Sequence, residues 1–283
     1  MEKKLVGFGV LAGGLAGLLA FAFARIFAEP FINKAINYES GRDAAQAVLD
    51  KAAGLPPDVA TSSPFSRSVQ ANLGIGVGMI LFGAAMGALF AVAYAICLGR
   101  VGKLQPRSIA LAVAAAGFVA LYLVPFIKYP ANPPSIGNPD TIKQRTALYL
   151  GMVAASVVLL IAAVWFGQWL AKRLGNWTAT LIAIGAFVVA VGVVMAILPA
   201  LGELKANVDL YGHRASETPL PLRNGQGQIV YPGFPADVLW NFRWYSVGAQ
   251  LLLWSVIGLV FAPLADRALR PMMVDSGQDA AHV

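Results

Sequence analysis

The sequence predicts an all-α polytopic membrane protein: six transmembrane helices in three hairpins, with two longer extracytoplasmic loops. Three observations predict it. Hydrophobic residues are 58% of the chain and charged ones 12%, against about a quarter charged in water-soluble domains. Six apolar runs reach the roughly 20 residues that a helix needs to cross a hydrocarbon core ~30 Å thick, and no acidic residue interrupts any of them. Lysine and arginine gather in alternate connections between those runs, the pattern that fixes orientation in a bilayer. The runs lack the alternation of strands, and an open sheet would leave unpaired backbone edges in lipid. Residues 1–283 are therefore expected to form a single integral membrane domain of helices.

The first run, 5–27, follows Lys3 and Lys4. It exceeds the core of about 7 to 15 residues of a cleaved signal peptide, so it is expected to be a retained helix. The second, 73–98, and the first both carry glycines four apart: Gly9, Gly13 and Gly17 in one, Gly74 with Gly78 and Gly83 with Gly87 in the other. Such spacing lets two backbones approach closely, which predicts that these two helices touch; a glycine-lined permeation path is the rival reading. The remaining helices are expected at 108–127, 146–171, 177–201 and 244–264.

Charge orients the hairpins. Lys3 and Lys4, then Arg100, Lys103 and Arg107, then Lys172 and Arg173, then Arg267 and Arg270 mark short cytoplasmic connections. The other connections, 28–72, 128–145 and 202–243, mix acids and bases and are expected outside. Both termini then lie in the cytoplasm of a multi-pass membrane protein, with the lipid bilayer as its solvent. The net charge of +7 reports that bias; no basic patch is interleaved with aromatics, so nucleic acid is excluded as a partner.

The connection "VPFIKYPANPPSIGNPDTIKQRT", Val124 to Thr146, holds five prolines in twenty-three residues. Pro125 is expected to kink or end the third helix, "YPANPP" to be extended, and Pro139-Asp140-Thr141 to form a capped turn before the fourth. A stiff segment loses little entropy on docking, so a rigid lid is predicted, with a plain helix-stopping connector as the alternative. An arginine precedes each returning helix: Arg67, Arg145 and Arg243.

Chemistry is sparse. No acid or histidine lies deep in a run, which argues against a proton- or ion-coupled pump. Polar function is therefore expected at the extracytoplasmic rim, where carboxylates and one imidazole are the groups that ligate a divalent transition metal. The candidate ligands are Glu29, Glu39, Glu203, His213 and Asp237. The alternative for Glu29 and Glu203 is ion pairing with Arg67, Arg145 or Arg243. His282 falls in a polar tail, and the lone Cys97 is read as a small apolar residue. No GxGxxG turn, phosphate-binding lysine loop, HExxH, paired cysteines or GxSxG occurs, so no enzyme is expected.

Three stretches, "GLLAFAFARIFAEPFINKAINYE", the proline-rich connection and "FPADVLWNFRWYSVGAQLLLW", resemble the CbtA family of cobalt transporter subunits of bacterial membranes, over nearly the whole chain. The resemblance implies cobalt uptake for cobalamin synthesis, a transported cobalt ion without a resident cofactor, and a small single-helix partner, CbtB, that carries a histidine cluster. It maps family-typical polar positions onto Glu29, Glu39, Arg67, Gln70, Lys128, Asn132, Arg145, Asp237 and Arg243. The competing reading is an accessory or structural subunit of a larger membrane complex, without a transport path of its own.

Overall fold

The structure, a computed structural model, describes residues 2–56, 65–102, 104–134 and 136–279, with side chains described to residue 269. Lys103, His282 and the side chain of Arg270 lie outside the described residues. Six helices are long and apolar enough to cross a membrane: Glu2–Phe27, Arg67–Cys97, Pro106–Lys128, Pro139–Leu174, Asn176–Glu203 and Ala236–Leu269. They are called the first to sixth spans below. The protein is an all-α polytopic membrane protein. The helices run past several of the apolar runs because polar residues that cap or start a helix carry no hydropathy signal. Ser66, whose hydroxyl accepts from the Val69 amide, starts the second span six residues before its apolar run. The connection 28–72 is itself largely helical, Glu29–Ala52, and Pro30 at its first turn costs no hydrogen bond.

The chain divides into two compact units. One contains Met1–Phe27, Ser63–Phe118 and Ser246–Val283. Here the first and second spans meet as their glycines predict. A Cβ built on Gly13 would overlap the Gly83 carbonyl, one on Gly87 the Gly9 carbonyl, and one on Gly17 the Met79 carbonyl. Gly78 faces open space and Gly74 meets only its own helix, so two of the glycines picked out in the second run play no part in this contact. Phe90 and Tyr94 pack edge-on against Phe261, at centroid distances of 5.0 and 4.9 Å. Arg107 pairs with Asp266 at 2.9 Å, and Arg25 donates to Asn72 at 2.9 Å.

The other unit contains Ala28–Ser62 and Val119–Tyr245. The fourth and fifth spans pack together, and Val124, Tyr129, Met152 and Val191 form one buried cluster. Ala35 and Tyr38 of the helix Glu29–Ala52 form a second with Ile136, Phe234 and Val238. Between the fifth and sixth spans lie the helix Lys205–Tyr211 and a short antiparallel hairpin, Leu222–Arg223 with Ile229–Tyr231. Its turn closes at Gly227, φ +80°.

Pro125 does not end the third helix. The third span continues through it to Lys128, because Phe118–Leu123 widens into a π-helix just before the proline. In that wider register the carbonyl of Ala120 would bond to the amide of residue 125, which proline lacks. The hydroxyl of Ser156, fully buried, reaches the Ala120 carbonyl instead.

Candidate functional site

The proline-rich segment is held at many points within its unit. At its start the Tyr129 hydroxyl donates to the Pro199 carbonyl at 3.0 Å. Burial pushes the Tyr129 phenol above its ordinary pKa, which keeps it a donor. In the middle, Arg243 donates through Nε to the Ala131 carbonyl at 3.1 Å and through Nη2 to Asn132 Oδ1 at 2.9 Å. At its end the Asn138 side chain accepts from the Asp140 amide at 3.0 Å and so starts the turn Pro139–Thr141. The turn read from the sequence at Pro139–Thr141 is present, but its side-chain cap is Asn138, and Thr141 starts the following helix with no side-chain capping hydrogen bond.

The same turn enters a buried polar network centred on Glu217, whose side chain is wholly inaccessible. Its Oε1 accepts from Thr141 Oγ1 at 2.5 Å and from Asn207 Nδ2 at 2.7 Å. Asn138 donates to Asn207 Oδ1 at 2.9 Å, and Asn207 Nδ2 also lies 2.7 Å from the Leu201 carbonyl. Arg145 Nη1 stands 3.1 Å from Glu217 Oε2. That approach is off the line of a hydrogen bond, since Oε2 has no aligned donor, so the contact is an ion pair. A buried carboxylate is tolerated only when paired and hydrogen-bonded; here one oxygen takes the hydrogen bonds and the other the charge. Arg145 also crowds Gly137, where φ is +134° and a Cβ would lie 2.5 Å from Nη1, so only glycine suits that position.

Beside this network lies a cavity of about 440 Å³. Its roof is the prolines 130, 133 and 134 with Asn132, and its wall is one face of the fourth span, including Arg145, Tyr149 and Leu150.

The predicted site residues are dispersed. Glu203 and His213 come together, Oε2 to Nδ1 at 2.6 Å, on an exposed surface. Glu29 is buried at the first turn of the helix Glu29–Ala52, where a carboxylate complements the helix dipole. Glu39 lies farther along that helix, half-buried, and Asp237 is exposed at the first turn of the sixth span. Among the described residues no three histidine, cysteine, aspartate or glutamate side chains converge as a metal shell would require. The sequence reading singled out neither Asn138 nor Asn207, took Thr141 only as part of the turn, and did not count Glu217 among the candidate ligands. Of the polar positions implied by the resemblance, Asn132, Arg145 and Arg243 are the ones that hold or line the proline segment.

Comparison with known families gives one match, a family described as probable cobalt transporter subunit (CbtA), over residues 2–266. No curated protein and no solved structure matches the chain. With the match covering nearly all of the chain and all but the end of the sixth span, the protein belongs to the CbtA family of probable cobalt transporter subunits.

Proposed function

We propose that the protein is the membrane subunit through which a bacterial cell takes up cobalt for cobalamin synthesis, with both termini in the cytoplasm. The observation that carries this reading is the family match across residues 2–266 on a chain with six membrane spans. The charge asymmetry of the connections supports the orientation. Glu203 and His213 are the one carboxylate–imidazole pair that comes together among the candidate ligands, and they serve as a first contact for the ion. Two ligands make a weak site, so the remaining ligands come from water and from a histidine-bearing single-helix partner. Glu29, Glu39 and Asp237 contribute charge near the rim without sharing that contact. No step in this reading makes or breaks a covalent bond, so the chain acts as a conduit and not as an enzyme.

Isotopic cobalt uptake at low external metal, in cells with and without the gene, tests the reading. Uptake falls to the background rate without the gene and falls severalfold in an E203A/H213A variant; equal uptake with and without the gene removes it. A second reading, an accessory subunit of a larger membrane complex, is favoured by the lack of a converging ligand set among the described residues. Cobalt binding by the purified chain alone counts against that second reading, and copurification of a stoichiometric large partner favours it.

A further inference from the structure

The cavity under the proline segment has the wrong lining for a bare metal ion. Among the described residues it presents one cation, Arg145, and no carboxylate. Its volume of about 440 Å³ falls in the ordinary range for organic ligands, about 300 to 1,000 Å³. The polar groups sit together. Arg145 retains about a quarter of its side-chain exposure, 27%, and its guanidinium has donors beyond the one turned to Glu217. Asn132 also lines the cavity and gives its oxygen to Arg243, which leaves its amide nitrogen as a donor. The rest of the lining is proline, tyrosine and aliphatic apart from Thr146, whose hydroxyl donates to the Ile142 carbonyl at 2.8 Å.

Position relative to the bilayer follows from the fourth span. Its uncharged stretch runs from Thr146 to Ala171, with Arg145 just before it and Lys172 just after it. Charged side chains avoid the hydrocarbon and settle at the headgroup level. Arg145 therefore lies at the membrane boundary, and Leu150, more than a turn deeper, lies at the start of the acyl region. Leu150 also lines the cavity, yet it is 58% exposed, so the cavity opens sideways along the helix toward lipid and not only toward water. A cation with an amide donor at headgroup height, above an apolar mouth at acyl height, matches the two chemistries of a phospholipid.

We propose that this cavity is a phospholipid site. The phosphodiester sits against Arg145 and the Asn132 amide, the glycerol lies under the proline roof, and one acyl chain leaves over Leu150. The proposal stands whether or not the chain carries cobalt.

Native mass spectrometry of the full chain, purified in a maltoside detergent, tests it. The probes are dioleoylphosphatidylglycerol, dioleoylglycerol and inorganic phosphate. One phosphatidylglycerol stays bound at detergent levels that strip the others, dioleoylglycerol does not bind, and millimolar inorganic phosphate does not displace the lipid. Loss of the charge-assisted contact in R145M/E217Q, which removes both charges together, weakens retention about tenfold. L150W narrows the mouth from an exposed position that folding does not depend on, and weakens it to a similar degree. Equal retention in L150W overturns the proposal. So does equal binding of dioleoylglycerol, or complete displacement by inorganic phosphate, which would mark a site for a free anion.

Discussion

The two compact units hold their elements together by opposite means. In the first, the first and second spans meet along Gly9, Gly13 and Gly17 through bare backbone, against Gly87, Gly83 and the Met79 carbonyl, and the charged side chain that joins them, Arg25, reaches Asn72 only at the end of the contact. In the second, the proline segment is fastened by side chains, Glu217, Asn207, Thr141, Asn138 and two arginines, of which the first three are almost wholly buried. The difference teaches where each force is available. Between helices in lipid there is no hydrophobic gain from association, because acyl chains are as apolar as leucine, so contact comes from close packing. At the ends of the spans, irregular backbone must find partners, and a buried polar network can fix one arrangement of loops at the risk of a large penalty if one member is lost. The fourth and fifth spans have little of either, with only 11% of their most apolar stretches buried by protein against 39% in the first span.

The largest expected effect comes from breaking the network. Glu217→Ala strips two donors and a cation of their shared acceptor, and losing one partner of a buried pair costs about 3 kcal/mol or more. Thermal unfolding in detergent reads this as a lower midpoint. Hydrogen exchange reads it locally, as faster exchange of amides in 129–141. Glu217→Gln keeps an acceptor for Thr141 and Asn207 and loses only the charge, so it falls between the variant and the natural protein. A Glu217→Ala protein with an unchanged midpoint would mean that the network is decoration.

A smaller effect comes from the glycine contact. Gly13→Ala places a methyl group on the Gly83 carbonyl, and overpacking of this kind costs about 1–3 kcal/mol. Gly78→Ala points into open space and gains slightly in helix propensity, so it is neutral or stabilising. Both residues belong to a four-residue glycine spacing in an apolar run, so this pair of variants separates contact from pattern. The Gly13→Ala and Glu217→Ala sites share no partner, and their costs add within about 0.5 kcal/mol; strong coupling would contradict the contrast between the units.

The parts of this molecule that could be read from the sequence are those whose signal lies along one dimension. Hydrophobic length gave six spans, and four-residue spacing gave the glycine contact, although which of the second span's glycines face the partner depends on helix rotation, as Gly78 illustrates. The turn was legible from Pro139, Asp140 and Thr141 as neighbours in sequence, although the residue that caps it is Asn138. The network was not, because its bonds join residues 69 and 76 positions apart, and Glu217 in a polar loop looks like any solvated glutamate. Arg145 was recognisable as a rim arginine in need of a carboxylate, but which carboxylate the fold would bring to it was not. The candidate metal ligands were chosen by chemistry alone, and chemistry does not say which side chains a fold brings together; it united Glu203 with His213 only.

The smallest effect probes the join between proline and membrane helix, where both strategies meet. Ser156→Ala removes the hydroxyl that reaches the Ala120 carbonyl and costs about 0.6–1.7 kcal/mol, the range of single hydrogen bonds within membrane bundles. Its size depends on Pro125. With alanine at 125 the missing amide is restored, the Ala120 carbonyl gains a backbone donor five residues on, and the serine becomes dispensable. Ser156→Ala is therefore expected to cost about 1 kcal/mol in the natural protein and close to nothing in a Pro125→Ala background. A double-mutant cycle of unfolding midpoints measures the difference. Equal costs in both backgrounds would show that Ser156 serves its own helix through the Val153 carbonyl, 2.9 Å away, and that the π-helical turn carries the proline unaided.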